Sequence, residues 1–229
     1  MNSIEQIFNE AAPDYEHNRL SSWYKAHNEF IIDALENSAS VDTILDIGCG
    51  TGWLLRQMKK NNPLISGIGV DISTKMINVA QAEALQERLD GLSFISADWE
   101  KLNMSDLLDI IGDKSLSHIT CSSVFHYFGD AESALIKIYN VLNPGGQFLL
   151  LDRAKDGSAL TQLWDLLHRF FIKDQVKFYT SGELIEMLKR TGFCDLKIKK
   201  KVRKLVWKGK FNTSLVLMSA KKPVHLDSK

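Results

Sequence analysis

Thr43-Ile44-Leu45-Asp46-Ile47-Gly48-Cys49-Gly50-Thr51-Gly52 limits what this chain can fold into more than any other stretch. An apolar run of strand character enters a glycine-rich turn, and a helical pattern begins at Trp53. Glycines at alternate positions strip the Cβ atoms from one face of the turn, so a bound group can approach the backbone more closely than a side chain would allow. A tight turn with no ligand is the plain alternative, and the surroundings argue against it. A phosphate at the start of the following helix would be repelled by the nearby Asp46, whereas a cationic ligand would be attracted. The spacing agrees, because Trp53 stands where a dinucleotide-binding fingerprint places its last glycine.

S-adenosylmethionine (SAM) meets these demands, carrying an ammonium, a sulfonium and one carboxylate but no phosphate. Asp46-Ile47-Gly48-Cys49-Gly50-Thr51-Gly52 resembles the first motif of the class I SAM-dependent methyltransferases, and the chain is most similar to their type 11, UbiE-like small-molecule group. Leu142-Asn143-Pro144-Gly145-Gly146-Gln147-Phe148-Leu149-Leu150-Leu151 resembles that family's approach to its fifth strand. DNA and protein-amide methyltransferases carry an acid or amide followed by paired prolines after the fourth strand, where this chain has Ser122-Ser123-Val124-Phe125. The resemblance covers residues 41–221 and implies a seven-stranded, mostly parallel Rossmann-like sheet of order 3-2-1-4-5-7-6, its last strand antiparallel, with helices on both faces.

Length and charge narrow the function. At 229 residues the chain suits one α/β domain, residues 1–229, with cap helices over 1–40 and the core over 41–221. Lys+Arg and Asp+Glu both count 28, so no global field draws the protein to nucleic acid or to an anionic membrane. Cys49, Cys121 and Cys194 are far apart and odd in number, which argues against a disulfide framework and against a zinc site, so no metal is expected. Glu5 and Glu10 stand where a signal peptide needs a basic and then apolar run, and no apolar stretch nears the roughly 18 residues of a membrane span. These features predict a soluble, cytoplasmic protein with no membrane partner; nothing in the sequence marks its oligomeric state.

The pattern along the chain assigns candidate sites to strand ends. Ile4, Ile7, Phe8 and Ala11 share a helical face behind a Ser3–Gln6 capping box, and Trp23, His27, Phe30, Ile31 and Ala34 share a second. These helices either cover the sheet or roof the site with Tyr15, His17 and Trp23. After a helix over 53–60, strand 66–70 ends at Asp71, about 20 residues past the turn, where α/β nucleotide folds place a carboxylate against ribose hydroxyls. Taken alone, an Asp at a strand end is more often a helix cap, but Ser73 can take that role, and the combination favours a ligand contact. A helix over 74–89 precedes strand 92–96, which ends at Asp98 and Trp99. The family resemblance implies that Asp98 accepts the adenine amino group while Trp99 and Ile72 flank the base; packing is the simpler role for Trp99. It also implies cofactor contacts at Asp46, Gly48, Cys49, Gly50, Gly52 and Cys121, the last on a fourth strand over 116–121.

Asp130 caps the next predicted helix, and Thr180-Ser181-Gly182-Glu183 is a capping box for a helix ending near Gly192. Between them Leu160, Leu163, Trp164, Leu167 and Phe171 form one helical stripe. Two strands, 193–203 and 212–220, should close the sheet. The basic run from Lys197 to Lys210 has eight Lys or Arg and no acid, and is expected to guard a sheet edge rather than to bind nucleic acid.

Methyl transfer to an oxygen, nitrogen or sulfur nucleophile on a small metabolite is the function these motifs imply; a non-catalytic SAM-binding partner or regulatory subunit uses the same cofactor motifs. A nicotinamide-dependent reductase is disfavoured by Asp46 and the glycine spacing. His126 follows the fourth strand and titrates unaided near neutral pH, which makes it the candidate base, with Tyr127 as substitute and Arg153 as a substrate contact. The alternative for His126 is burial between Phe125 and Phe128.

Overall fold

A computed structural model describes residues 3–17, 19–36, 42–112, 115–156, 177–207 and 211–224. Among these, seven strands form one sheet of order β3-β2-β1-β4-β5-β7-β6. The strands β1 (Thr43–Ile47), β2 (Ser66–Asp71), β3 (Leu92–Ser96), β4 (His118–Ser122) and β5 (Gln147–Ala154) run parallel, and β7 (Phe211–Lys221) pairs antiparallel with both β5 and β6 (Cys194–Trp207). The expected order and the antiparallel last strand are therefore both present.

Alternation along the strands explains the two-faced core. In β1, Ile44 packs with Leu149, Leu151, Leu215 and Leu217 on one face, while Leu45 and Ile47 pack with Ile68, Ile119 and Leu150 on the other. Successive side chains of a strand point to opposite faces, so a strand covered on both sides must be apolar almost throughout. All five residues of β1 are buried. The first face receives α2 (Arg19–Glu36), α3 (Trp53–Asn61) and α4 (Thr74–Gln86). The second receives α5 (Met104–Ile111), α6 (Ala131–Val141) and α7 (Ser181–Thr191). At the chain's start, α1 (Ser3–Ala11) passes into a 3-10 segment, Ala12–His17, that contains Pro13.

Several helix ends follow their predicted chemistry. Ser73 caps α4 by accepting from the Met76 N–H, Asp130 caps α6 through Ser133, and Thr180 and Glu183 complete the capping box of α7. The structure also departs from expectation. Helix α4 stops at Gln86 rather than 89, because Arg88 takes φ 56° and the Leu89 N–H turns back to the Ala84 carbonyl. Strand β4 begins and ends later than read, and β6 continues to Trp207. Helix α5 was not legible as a stripe: eight residues give little more than two turns, although Asn103 caps it and Leu107 and Ile111 are buried beneath it. The stripe Leu160–Phe171 lies outside the described residues.

The sheet reverses direction of growth at β1, whose neighbours are β2 on one side and β4 on the other. A crevice opens outside the carboxyl ends of the strands at such a switch point. At the far side β6 is the edge strand, with irregular register at three places and Lys200 5.1 Å over the Phe30 ring.

Candidate active site

The switch-point crevice is lined from below by Asp46–Thr51, Val70–Ile72, Ala97–Glu100 and Ser122–Val124. From above it is closed by Ile4 and Phe8 of α1, by Tyr15, and by Tyr24, Lys25 and Asn28 of α2. The first helices therefore do roof this cleft. Tyr15 lines it as expected, whereas the side chains of His17 and Trp23 lie outside the described residues.

The glycine turn divides its labour differently from the reading that all three glycines clear one face. A Cβ at Gly48 would meet Val124 Cγ2 at 2.1 Å, and one at Gly52 would meet Phe94 Cε1 at 2.5 Å. Those two positions are small because the protein's own side chains fill the space. At Gly50, with φ +54°, a Cβ would meet nothing within 4 Å. Gly50 is thus where the turn leaves room for a bound group.

Two acids stand next to it, Asp46 buried and Asp71 half-buried. Asp71 accepts from the Gly50 N–H at 2.8 Å through one oxygen and from the Ser73 N–H at 2.9 Å through the other. Burial raises its carboxyl above the ordinary value, and the two N–H bonds oppose that rise. Each oxygen keeps a further lone pair. Asp46 is 3% exposed and accepts from the Thr120 hydroxyl at 2.7 Å. Burial pushes it to about 7, with the Thr120 bond lowering it and Asp71 raising it. Asp46 is consequently not the fixed anion that the sequence suggested but a group divided between its two forms near neutral pH. Cys49 lines the cleft with its thiol pushed up by burial.

Asp98, Trp99 and Ile72 also line the cleft. Asp98 accepts from the Glu100 N–H at 3.1 Å and pairs with Lys101 at 2.8 Å. Trp99 is packed into the second core face at 4% exposure, and its indole nitrogen has no hydrogen-bond partner among the described residues. Two residues absent from the sequence reading organise this loop. Lys137 on α6 donates to the carbonyls of Trp99, Glu100 and Leu102 at 2.6, 3.2 and 2.5 Å. Glu100 accepts from the Gly129 and Asp130 N–H groups at 3.1 and 2.8 Å.

Four expected contacts are absent from the described cleft lining: Gly52, whose missing Cβ faces the Phe94 ring, Cys121, His126 and Arg153. Cys121 is fully buried and faces the second core; β4 runs one residue further than predicted, so Ser122 reaches the cleft instead. His126 is also not among the described lining residues. It sits in a 3-10 turn, Phe125–Tyr127, with Nδ1 donating to Asp152 at 2.7 Å and its ring between Tyr127 and Phe178, at 4.1 and 5.3 Å. The neighbouring Tyr127 forms the cleft wall and meets Phe8 edge-on at 5.9 Å. Arg153 is hydrogen-bonded to Tyr24, which lines the cleft. Tyr15 and Tyr24 lie nearly parallel, 6.4 Å apart, and burial drives both phenols upward, so they are neutral donors.

The roof is fastened by charge. Glu16 pairs with Arg56 and with Lys25, the latter at 3.2 Å, and Arg56, 2% exposed, also reaches Glu87 at 2.8 Å. Burial pushes the Glu16 carboxyl up, but the Thr51 hydroxyl, Arg56 and Lys25 together hold it below its ordinary value. Asn9 adds a second fastening, accepting from the Ser73 hydroxyl at 2.7 Å and the Lys75 N–H at 3.2 Å.

Comparison with known proteins places this arrangement in a family. A family model described as a methyltransferase domain matches residues 38–209, and the chain belongs to the class I SAM-dependent methyltransferase family. A tRNA N(3)-methylcytidine methyltransferase of Schizosaccharomyces pombe is 31% identical over 179 residues, covering 72% of this chain and 56% of the relative. A demethylmenaquinone methyltransferase of Deinococcus radiodurans is 27% identical over 165 residues, covering 69% and 63%. The chain thus spans less than two thirds of the length of these curated relatives. Among solved structures, a Haemonchus contortus phosphoethanolamine N-methyltransferase in complex with SAM superposes with a TM-score of 0.70 at 17% identity, covering 94% of this chain and 60% of that one, a likeness of fold.

Proposed function

We propose that this chain transfers the methyl group of SAM to an oxygen, nitrogen or sulfur nucleophile on a small-molecule metabolite. The observation that carries the reading is the open space at Gly50 beside two carboxylates, Asp46 buried and Asp71 half-buried, under an aromatic roof. A cation suits that place, because its charge stabilises the ionised form of Asp46 that burial disfavours. Asp71 has lone pairs left for two hydroxyls, Asp98 accepts an amino group, and Ile72 and Trp99 flank a flat base. SAM supplies a methyl group on a positively charged sulfur, which a nucleophile displaces in line. The protein's part is to hold that nucleophile about 3–3.5 Å from the methyl and to exclude water, work that suits Tyr15, Tyr24 and Tyr127. Tyr127 is the better-placed candidate for contact with the acceptor, and His126 acts from behind it.

A nucleic-acid acceptor is the second reading, favoured by the tRNA-modifying relative and by the basic run 197–210. A non-catalytic SAM-binding partner is the third. Acceptor profiling with methyl-labelled SAM against phenols, carboxylates, amines, thiols and bulk tRNA separates them. The proposal expects label in a small molecule and none in tRNA. Label in tRNA alone selects the second reading, and SAM binding without transfer to any acceptor selects the third.

A further inference from the structure

Asp152, near the end of β5, is 2% exposed and takes no part in lining the cleft among the described residues. Its carboxylate nevertheless receives three N–H groups. The backbone and ring of His126 donate at 3.0 and 2.7 Å, one to each oxygen, and the Arg153 N–H donates at 2.6 Å. A buried carboxylate is a costly way to fill space, which an apolar side chain does as well, so its bonds are the reason to seek a role.

Those bonds lead to the cleft along two routes. Through His126, Asp152 holds the turn Phe125–Tyr127, which the Lys177 N–H also ties down by donating to the His126 carbonyl at 2.8 Å; this turn presents Tyr127. Through Arg153, whose side chain hydrogen-bonds Tyr24, it reaches the roof contributed by α2. One buried carboxylate therefore stands behind two tyrosines that come from elements distant in sequence. We infer that Asp152 is a positioning residue, setting the wall that Tyr24 and Tyr127 present to the acceptor; the inference rests on the reading of this cleft as a SAM and acceptor site.

The test compares two ligands by calorimetry. S-adenosylhomocysteine (SAH) ends at the sulfur, whereas sinefungin carries an amine-bearing carbon in place of the methylsulfonium and reaches toward the acceptor side. In Asp152→Asn, sinefungin affinity is expected to fall at least tenfold while SAH affinity stays within threefold of wild type. A purely structural role would weaken both ligands alike, and equal losses or an unchanged sinefungin affinity overturn the inference. If Asp152→Asn does not fold, His126→Gln and Arg153→Gln read the two routes singly. Each is expected to lower sinefungin affinity at least threefold with SAH unchanged, and no selective loss in either overturns the inference. A wild-type protein that binds neither ligand removes the cofactor reading itself, and this inference with it.

Discussion

Asp46 is buried beneath the glycine turn, and its two forms are nearly balanced as a result. Its carboxyl is pushed to about 7 in the folded chain, above its value of about 3.9 in an unfolded one. The folded state therefore binds more protons than the unfolded state between those two values, and this group's contribution to stability declines as pH rises through about 7. Asp46→Asn, which is neutral at every pH, should be more stable than wild type by about 1–4 kcal/mol at pH 8 and lose that advantage near pH 4. Chemical denaturation at the two pH values checks this; an advantage independent of pH would contradict it. The same substitution should weaken SAM binding, and wild-type affinity should fall as pH drops below about 7, because the cation then has to displace a proton. The sequence showed Asp46 and its sign, but not its burial, which depends on Thr120 of a strand more than 70 residues away.

The elements around the cleft were legible to different degrees, for a physical reason. Parallel strands announce themselves by apolar runs, and helices α6 and α7 by caps whose chemistry is local. The loop 98–102 offers no such sign, because its conformation is imposed from another element. Lys137 lies on α6, at a position that reads as an ordinary surface lysine, and meets the loop only after folding. Removing it leaves three carbonyls without their shared donor, each such bond to a charged group being worth about 1.5–3 kcal/mol. Lys137→Met should speed hydrogen exchange across residues 99–102 and weaken SAM binding roughly tenfold, at a cost to global stability of about 1–3 kcal/mol. Exchange and affinity both unchanged would show that the loop holds its shape without the lysine. His126 shows the same limit: its place after β4 was readable, but its pairing with Asp152, on another strand, was not.

For the whole molecule, the sheet order places residues 197–207 of the basic run on the edge strand β6, with Lys197 paired to Asp195 and Lys201 to Asp156, both at 2.7 Å. An edge of lysines discourages pairing with other strands, and these pairs lower its pull on phosphates. Binding to tRNA should be weak at physiological salt; tight binding with a steep salt dependence would instead favour the nucleic-acid reading. The fold followed from repeated local patterns that agree with one another. The roof did not, since Tyr24, Lys25 and Asn28 are brought to the cleft by the docking of the first helices, which Glu16 and Asn9 fasten to Arg56 and Ser73. All of these levels meet at Gly50, where the turn has space and where the proposed function seats the cofactor. Calorimetric titration of SAM into wild type and Gly50→Val is the most direct test. The account predicts saturable one-to-one binding to the wild type and at least a 100-fold loss in the variant, a branched side chain having filled the space. Equal affinity in two folded proteins, or no binding to the wild type, would contradict it.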